Sequence, residues 1–378
     1  MPYYNRLKFK IKDGSERARI IGNLQKLAAQ LDSEIPDKDA DHNLLIASWN
    51  IRDFGKAGNR RGFGKREPET LFYIAEVLSR FDFIAIQEIN ELDEFEQVMD
   101  ILGANWDYIA TDVTDTSLGG NGERLTYCFD KRKMWFKNIS GEIVLPPSML
   151  ISKAVVDTEE GKRLYSGKQF RRTPFVTSFQ SGWFKFDICT VHLYYGEESG
   201  EKLEERIEEI GRIATYFGKR AVDAARDGKA LILLGDFNIV HPEHETMKAL
   251  LKAGFKVPKT LSKPTNFKGD KYYDQIAIVA EPEILAYLEK LSGAPKEMNA
   301  GILDIFVSIY RPDQWSEYID QMKRSPNGKK LSTDQQLKTY YRDWLTYQWS
   351  DHRPLWVRIR SNDAAAYLTN LKKEAEEA

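Results

Sequence analysis

Short apolar runs recur along the chain, and amphipathic stretches with helical spacing separate several of them. Short runs rich in aliphatic and aromatic side chains are typical of strands that are buried in a sheet. Strands are predicted over residues 44–47, 83–86, 126–129, 183–191, 230–234 and 355–360. The last run alternates apolar and polar residues, which favours an edge strand.

Apolar positions spaced three and four apart predict helices over residues 13–31, 68–80 and 203–221. Asp13 and Glu16 fit a capping box at the start of the first helix. The charged stretch 32–43 that follows this helix is interpreted as a linker. The seven glutamates between Glu197 and Glu209 are expected to lie mostly on the solvated face of the third helix.

Strands in both halves of the chain, separated by helices, predict two sheets that pack face to face with helices outside them. One large domain is favoured over residues 44–361, with a helical extension at 1–43 and a helical tail at 362–378. Residues 281–348 are interpreted as an insertion near the rim of the site, which could wrap substrate, cover the core or mediate oligomerisation. Core packing is expected for most of the aromatic residues in and beside this insertion, which are Tyr310, Trp315, Tyr318, Tyr340, Tyr341, Trp344, Tyr347 and Trp349.

Polar residues stand next to the predicted strands at five places in the chain. The five clusters are Ser48-Trp49-Asn50, Gln87-Glu88, His192, Gly235-Asp236-Phe237-Asn238 and Ser350-Asp351-His352. In the fourth cluster Gly235 lets the backbone turn, so that Asp236 can take a proton from water while Asn238 holds that water in place. By itself this cluster could also be a strand end with an Asx turn. Five such clusters together favour one shared site at an edge of the sheets.

Eight short motifs, in this order, resemble those of the endonuclease/exonuclease/phosphatase superfamily, and the likeness is greatest to deoxyribonuclease I. They are IASWNIRDFG (46–55), IAIQE (84–88), GER (122–124), RTP (172–174), TVH (190–192), GDFN (235–238), YDQI (273–276) and SDH (350–352). The resemblance implies an α/β fold, a four-layered α/β/β/α sandwich, for the catalytic domain. The same core serves nucleases, inositol-phosphate phosphatases and sphingomyelinases, so the motifs specify the superfamily more narrowly than the substrate.

The resemblance also implies roles for individual residues. Glu88 occupies the family's metal position, and Asp351 and Asn50 are further candidates for holding the metal or a phosphate oxygen. Asp236 would orient and deprotonate the attacking water, and Asn238 would fix its geometry. Two histidine–acid pairs would flank one phosphate, and these pairs are His352 with Asp274 and His192 with Glu123. Hydrolysis of a phosphodiester requires charge neutralisation, and oxygen ligands favour Mg²⁺ or Mn²⁺; a structural Ca²⁺ is also compatible with the chain.

Two basic clusters are candidates for contact with a polyanionic substrate. The first is a glycine-rich loop with Arg52, Lys56, Arg60, Arg61, Lys65 and Arg66, and the second contains Lys168, Arg171 and Arg172. A merely solvated loop is the alternative for the first cluster. By the resemblance, Arg52, Arg124 and Arg172 would contact the phosphate. One departure from deoxyribonuclease I is Asn121, which stands where those enzymes carry a tyrosine that stacks in the minor groove.

Composition limits the remaining possibilities. A net charge of −2 and a pI near 6.3 argue against coating nucleic acid by bulk charge, although a local basic groove is compatible with both. Cys128 and Cys189 lie in strand-like runs and are expected to be buried as small apolar residues. The N-terminus has no apolar segment of signal-peptide length, and no run of about 18 apolar residues occurs, so a cytoplasmic protein without a membrane span is expected.

The leading hypothesis is therefore a metal-dependent nuclease of deoxyribonuclease I type that cleaves DNA with low sequence specificity; DNA is favoured over RNA as the substrate, and the sequence leaves RNA open. The alternative is a phosphatase or phospholipase on the same scaffold that acts on inositol phosphates or another phosphorylated substrate. A binding module without activity is a third hypothesis, which the complete set of matched positions disfavours.

Overall fold

The computed structural model describes residues 2–55, 62–113, 122–157, 163–290 and 293–377. Its α-helices are α1 (Leu7–Lys10), α2 (Gly14–Glu34), α3 (Pro68–Leu78), α4 (Leu92–Leu102), α5 (Glu201–Arg226), α6 (Glu245–Lys252), α7 (Pro282–Leu288), α8 (Ile319–Arg324), α9 (Asp334–Gln348) and α10 (Ala364–Glu377). Its strands are β1 (Asn43–Phe54), β2 (Phe83–Ile89), β3 (Trp106–Ala110), β4 (Arg124–Asp130), β5 (Trp135–Glu142), β6 (Ile151–Asp157), β7 (Arg163–Lys168), β8 (Phe175–Ser181), β9 (Phe184–His192), β10 (Lys229–Asp236), β11 (Asp274–Val279), β12 (Ala300–Ile302) and β13 (Leu355–Arg360).

Two mixed sheets form the centre of the molecule. The first has the strand order β12-β13-β1-β2-β4-β3, and the second has the order β11-β10-β9-β8-β5; β6 and β7 form a separate hairpin. One apolar cluster lies between the sheets, a second lies between the first sheet and helices α2, α3, α4, α8 and α9, and a third lies between the second sheet and helices α5 and α6. This is the four-layered α/β/β/α sandwich that the sequence predicts, and the predicted fold class is confirmed.

Alternation along the strands produces these layers. Leu44 and Ile46 of β1 face the cluster between the sheets, whereas Leu45 and Ala47 face the helices. Both faces of a central strand are covered, so the run contains consecutive apolar residues instead of alternating with polar ones. The same division holds for β10, where Ile232 faces the other sheet and its neighbours Leu231 and Leu233 pack against the helices.

The prediction that residues 355–360 form an edge strand is wrong. β13 lies between β1, which pairs with it antiparallel from Asn43 to Ser48, and the three-residue strand β12. Its alternation arises because Arg358 and Arg360 point to the outer side, where Arg358 donates to the Asn299 side chain at 2.7 and 2.9 Å. The polar residue Arg358 therefore marks a hydrogen-bonded side chain on the outer side of the sheet and not the edge of the sheet.

The N-terminal helix α2 packs into the outer helix layer. Asp13 caps it by accepting a hydrogen bond from the Glu16 N–H at 2.7 Å, as predicted. The Glu16 side chain contacts Arg324 of α8 at 3.2 Å instead of completing the capping box. Leu24 and Leu31 belong to the same apolar cluster as β1 and α3. The division of the chain at residues 43 and 361 stays a prediction.

Most of the aromatic residues in and beside the segment 281–348 are buried against the outer face of the first sheet. The buried ones are Tyr310, Tyr318, Tyr341, Trp344 and Trp349, as expected for core packing, and the half-buried ones are Trp315, Tyr340 and Tyr347. Trp49 of β1 meets Trp349 edge to face at 5.4 Å between ring centroids. This segment therefore covers the core, which was one of the three roles left open for it.

One of the glutamates expected on the solvated face of α5 is buried. Glu209 is 1% exposed because it accepts hydrogen bonds from the backbone N–H groups of Arg171 and Tyr194, at 3.2 and 3.4 Å. Cys128 and Cys189 are free and buried, as predicted. Among the described helices, none is both long and apolar enough to cross a membrane.

Candidate active site

Strand register brings three of the predicted residues side by side in the second sheet. β9 and β10 are parallel, and Asp236, the last residue of β10, lies opposite His192, the last residue of β9. β11 runs antiparallel to β10 and begins at Asp274, which lies opposite Asp236. The carboxyl ends of two strands and the start of a third therefore meet at one edge of the sheet.

Gly235 is required by a close approach to the neighbouring strand. It lies within β10 at φ +125°, and a Cβ at this position would meet the carbonyl oxygen of Val191 at 2.1 Å. The predicted role of Gly235 in a turn is therefore wrong. A left-handed backbone conformation follows at Asn238, at φ +53°, which asparagine tolerates better than most residues.

Asp236 and Asn238 are tied to each other and to the chain that follows His192. The Asn238 N–H donates to Asp236 Oδ1 at 2.9 Å, and its side-chain Nδ2 donates to the Leu193 carbonyl oxygen at 2.7 Å. Both side chains are buried. The Asn238 amide thus fixes the backbone beyond β9 and leaves Asp236 Oδ2 directed toward the other sheet.

The first sheet supplies Asn50 and Glu88 from the parallel strands β1 and β2. Asn50 Nδ2 donates to Glu88 Oε1 at 2.9 Å and to Asp236 Oδ2 at 3.1 Å, and so joins the two sheets. Glu88 Oε2 accepts the Asp53 N–H at 2.7 Å. Glu88 has φ +66°, a backbone conformation that is costly for a non-glycine residue and that clusters at functional sites.

Each of the two histidines has a carboxylate partner. His352 Nδ1 lies 2.8 Å from Asp274 Oδ2, and His192 Nδ1 lies 2.7 Å from Glu123 Oε1. A carboxylate that accepts from Nδ1 fixes the tautomer and leaves Nε2 for the site. All four side chains are buried.

The two imidazoles converge on one carboxylate oxygen. Asp236 Oδ2 lies 3.6 Å from His192 Nε2 and 3.9 Å from His352 Nε2. Burial lowers the pKa of each histidine, but nearby carboxylates outweigh it, so the pKa of His192 is raised and that of His352 lies well above its ordinary value. Burial raises the pKa of Asp236, which the His352 charge opposes. The result is a base between two imidazoles that favour the protonated form.

Glu88 is the candidate with the properties of a cation ligand. Burial acts against ionisation, yet the His192 charge and the hydrogen bonds from Asn50 and Asp53 lower the pKa of Glu88 to about 2. Its side chain is 18% exposed, so the carboxylate is ionised and accessible. The two described groups of acids and histidines that could hold a metal are Glu88-Glu123-His192 and Asp236-Asp274-His352. In the second group His352 Nδ1 is hydrogen-bonded to Asp274, and in the first His192 Nδ1 lies 2.7 Å from Glu123 Oε1.

The other two predicted metal ligands are placed differently. Asp351 is 35% exposed at the rim, with Oδ2 3.3 Å from Arg52 and Oδ1 3.9 Å from His352 Nε2. Asn50 turns its amide nitrogen to the carboxylates, and its oxygen accepts the Arg52 N–H at 2.9 Å. Oxygen donors for a hard divalent cation are therefore present in Glu88 and Asp351, while Asn50 holds Glu88 in place.

The three candidate phosphate-binding arginines have different surroundings. Arg52 pairs with Asp351 at the rim, and Arg172 Nε lies 2.8 Å from Glu123 Oε1, behind His192. Arg124 donates to the Asn90 carbonyl oxygen at 2.6 Å. Arg52 thus lies at the rim, whereas Arg172 and Arg124 both donate to backbone carbonyl oxygens, those of His192 and Leu193 for Arg172 and that of Asn90 for Arg124.

Several cations of the two basic clusters are held by the protein itself. Arg66 donates to the carbonyl oxygens of Ile51 and Arg52, each at 2.6 Å, so these donors are used within the protein. Lys168 and Arg171 both pair with Glu205, at 3.5 and 3.0 Å. Lys56, Arg60, Arg61 and Asn121 lie outside the described residues.

Sequence reasoning assigned no role to three residues that complete the site. Gln87 is buried and donates to Ser48 Oγ at 3.3 Å and to Thr190 Oγ1 at 2.9 Å, linking the two sheets below Glu88. The Tyr273 ring lies 5.7 Å from the His352 ring, and Tyr195 packs edge-on against Tyr273 at 5.8 Å. Gln87 and Tyr273 stand directly beside Glu88 and Asp274 in the matched motifs, and this adjacency could have marked them as site residues.

The chain shares its fold with solved proteins. The fold is that of the endonuclease/exonuclease/phosphatase superfamily, and the sequence resemblance to that superfamily is confirmed. Similar solved structures include the human Nocturnin catalytic domain with bound sulfate, with a TM-score of 0.51 and 14% identity over 87% of this chain and 98% of that one. An endonuclease/exonuclease/phosphatase family protein from Bacteroides thetaiotaomicron also gives 0.51, with 17% identity over 85% and 98% of the two chains. At these identities the likeness concerns the fold alone.

Sequence comparison adds one relative. A protein named deoxyribonuclease from Thioalkalivibrio sp. (strain K90mix) is 29% identical over 217 residues, which are 56% of this chain and 50% of that protein. The match thus spans about half the length of the relative. No family model matches the chain.

Proposed function

We propose that this protein is a metal-dependent phosphodiester hydrolase, a deoxyribonuclease I-like endonuclease that cleaves DNA with low sequence specificity. The observation that carries the proposal is the convergence of two histidine–carboxylate pairs on Asp236 Oδ2, at 3.6 and 3.9 Å, with Glu88 beside it. Two donors and one base around a single point are suited to a phosphorus centre that is attacked on one side and loses a group on the other.

In this proposal Asp236 orients and deprotonates the attacking water, and Asn238 keeps the Asp236 carboxylate in place. Burial raises the pKa of Asp236, which makes its carboxylate a stronger base than that of an exposed aspartate. His192 and His352 donate from Nε2 to the phosphate oxygens. Their acid partners raise the pKa of both histidines and so favour the imidazolium form, in which these donors stabilise the charge that accumulates in the transition state.

The proposed cofactor is Mg²⁺ or Mn²⁺, held by Glu88 with Asp351 as the second oxygen donor. When bound, such a cation neutralises phosphate charge and polarises the phosphorus–oxygen bond. Glu88 is ionised and partly exposed, as such a ligand must be. Asn50 orients it from one side and the Asp53 N–H from the other.

DNA is the proposed substrate because the relative from Thioalkalivibrio carries the name deoxyribonuclease and because both histidine pairs of the deoxyribonuclease I pattern are present. A phosphoesterase that acts on a small phosphorylated molecule, such as an inositol phosphate, is the second candidate. The internal pairing of Arg66, Lys168 and Arg171 favours it, since these cations are engaged by the protein and contribute little to binding a long polyanion.

Relaxation of supercoiled plasmid tests the proposal, with wild type and His352→Ala in Mg²⁺, Mn²⁺ or EDTA. The expected result is nicking that requires metal and that falls by about 10²-fold or more in the variant. Intact plasmid after treatment with folded wild type, together with turnover of a phosphorylated small molecule, would replace the nuclease with the second candidate. Equal nicking by both proteins would indicate a contaminating nuclease.

A further inference from the structure

The guanidinium of Arg52 at the rim of the site is held by three side chains. Its carbon lies 4.0 Å from the centroid of the Tyr347 ring, one nitrogen is 3.3 Å from Asp351 Oδ2, and the same nitrogen donates to Thr346 Oγ1. Arg52 has φ +39° and its side chain is 19% exposed. An arginine at the mouth of the site is therefore fixed in one orientation on a backbone that also bears Asn50.

Two of these three contacts come from α9, which lies at the end of the segment 281–348. Asp351 belongs to the candidate site itself, whereas Tyr347 and Thr346 belong to a helix whose buried residues Tyr341 and Trp344 fix it to the core. The same helix that covers the first sheet thus reaches the active-site rim with its last turn.

Tyr347 is itself supported by a stack of aromatic rings. The Phe63 ring stacks on it, with centroids 4.4 Å apart and planes 20° apart, and the Tyr340 ring also stacks on Phe63, at 5.2 Å and 21°. The Tyr340 hydroxyl donates to the Gly62 carbonyl oxygen at 3.2 Å. Arg52 thus contacts Tyr347, which stacks on Phe63, and Phe63 in turn stacks on Tyr340.

The geometry of a guanidinium explains what such a stack can do. Its N–H donors lie in one plane, so a ring against its face restrains the plane without using the donors at its edges. Without the ring, the guanidinium of Arg52 could turn to form two parallel hydrogen bonds with the exposed carboxylate of Asp351, which would occupy the donors that a phosphate needs. Thr346 takes one donor and opposes the same rotation.

We propose that Tyr347, assisted by Thr346, is a positioning residue that holds Arg52 in the orientation for binding a phosphate group. The segment 281–348 thereby contributes to substrate binding as well as to the core. The inference rests on the proposed phosphoesterase function, because Arg52 must meet a phosphate for its orientation to matter.

Steady-state kinetics on a short DNA duplex test the inference, with inorganic phosphate as a competing ligand. In Tyr347→Leu we expect KM and the inhibition constant of phosphate to rise roughly fivefold to thirtyfold, with kcat changed less than about threefold. Tyr347→Phe keeps the ring face and should stay within about threefold of wild type in both constants. Tyr287→Leu is the matched control, because Tyr287, on α7, is also half-buried under an arginine. The guanidinium carbon of Arg360 lies 4.8 Å from the centroid of the Tyr287 ring. This control should leave both constants unchanged even if it lowers the melting temperature.

A double-mutant cycle separates positioning from a general structural effect. If Tyr347 acts through Arg52, Tyr347→Leu has no further effect on KM once Arg52→Ala is present. Independent effects of the two substitutions would overturn the inference, and so would a loss in Tyr347→Leu that lies only in kcat.

If folded wild type hydrolyses no phosphodiester, the proposed function fails by itself, and calorimetric titration with inorganic phosphate then decides the inference. Equal phosphate affinity in wild type and Tyr347→Leu would overturn it.

Discussion

Glu209 on α5 is expected to make the stability of this protein depend on pH in a way that one substitution can remove. Its side chain is buried, with the residue 1% exposed, and burial raises the pKa of the carboxyl from the ordinary 4.5 to about 7. The two backbone N–H groups that donate to the carboxylate lower the pKa, but burial outweighs them. Those N–H groups belong to Arg171 and Tyr194, which adjoin the segments bearing Arg172 and His192. Glu209 thus joins two segments of the candidate site.

The direction of the effect follows from the raised pKa. A carboxyl with a higher pKa in the folded state contributes stability that is fully present below pH 4.5 and is lost as pH rises through 7. Since each pKa unit is worth about 1.4 kcal/mol, ionisation of Glu209 costs the folded state about 3 kcal/mol. Glu209→Gln removes the charge and keeps one of the two oxygens that accept these N–H groups, so one N–H group loses its acceptor at every pH. Between pH 4.5 and pH 8.5, the stability of the variant relative to wild type should therefore rise by up to about 3 kcal/mol.

Urea denaturation followed by tryptophan fluorescence at the two pH values measures this difference. Glu204→Gln is the matched control, because Glu204 is an exposed glutamate on the same helix, and its stability relative to wild type should be the same at both pH values. A Glu209→Gln variant whose advantage over wild type does not grow between pH 4.5 and pH 8.5 would refute the reasoning. It would mean that the ionised carboxylate is as well stabilised in the folded protein as in water.

Three further predictions concern the site. Glu88→Gln should reduce metal-dependent hydrolysis by about 10³-fold at unchanged melting temperature, and it should weaken the binding of Mn²⁺, measured by electron paramagnetic resonance. Unchanged Mn²⁺ affinity would contradict the assignment of Glu88 as a ligand. Asp274→Asn removes the carboxylate that raises the pKa of His352, so the alkaline limb of the kcat–pH profile should move to lower pH. The value of kcat should fall by roughly 10²-fold to 10⁴-fold. An unmoved alkaline limb would exclude His352 as the group that titrates there. Gly235→Ala should cost roughly 2 to 4 kcal/mol of unfolding free energy in urea titrations, because its Cβ would meet the Val191 oxygen at 2.1 Å, and a wild-type midpoint would contradict that contact.

The amino-acid sequence by itself was enough to predict the layers of the fold. Apolar runs such as 230–234 mark buried strands because a central strand of a sandwich must be apolar on both faces. Helical spacing marks the outer helices for the corresponding reason, since only one face of each is covered. The motifs around Glu88, Asp236 and His352 also predicted that these residues share a site, because each stands where a strand begins or ends.

Only the tertiary structure decided how the polar side chains are used, because this depends on neighbours far away in sequence. Arg66 was predicted to meet substrate, but carbonyl oxygens of β1 take its donors. Glu209 has the periodicity of a solvated residue, yet α5 packs it against two loops that return to the sheet. The stack of Tyr347 on Arg52 joins positions almost 300 residues apart. Hydrophobic burial follows a local period along the chain and can be predicted from it, whereas charge pairing and ring stacking arise only when distant segments meet.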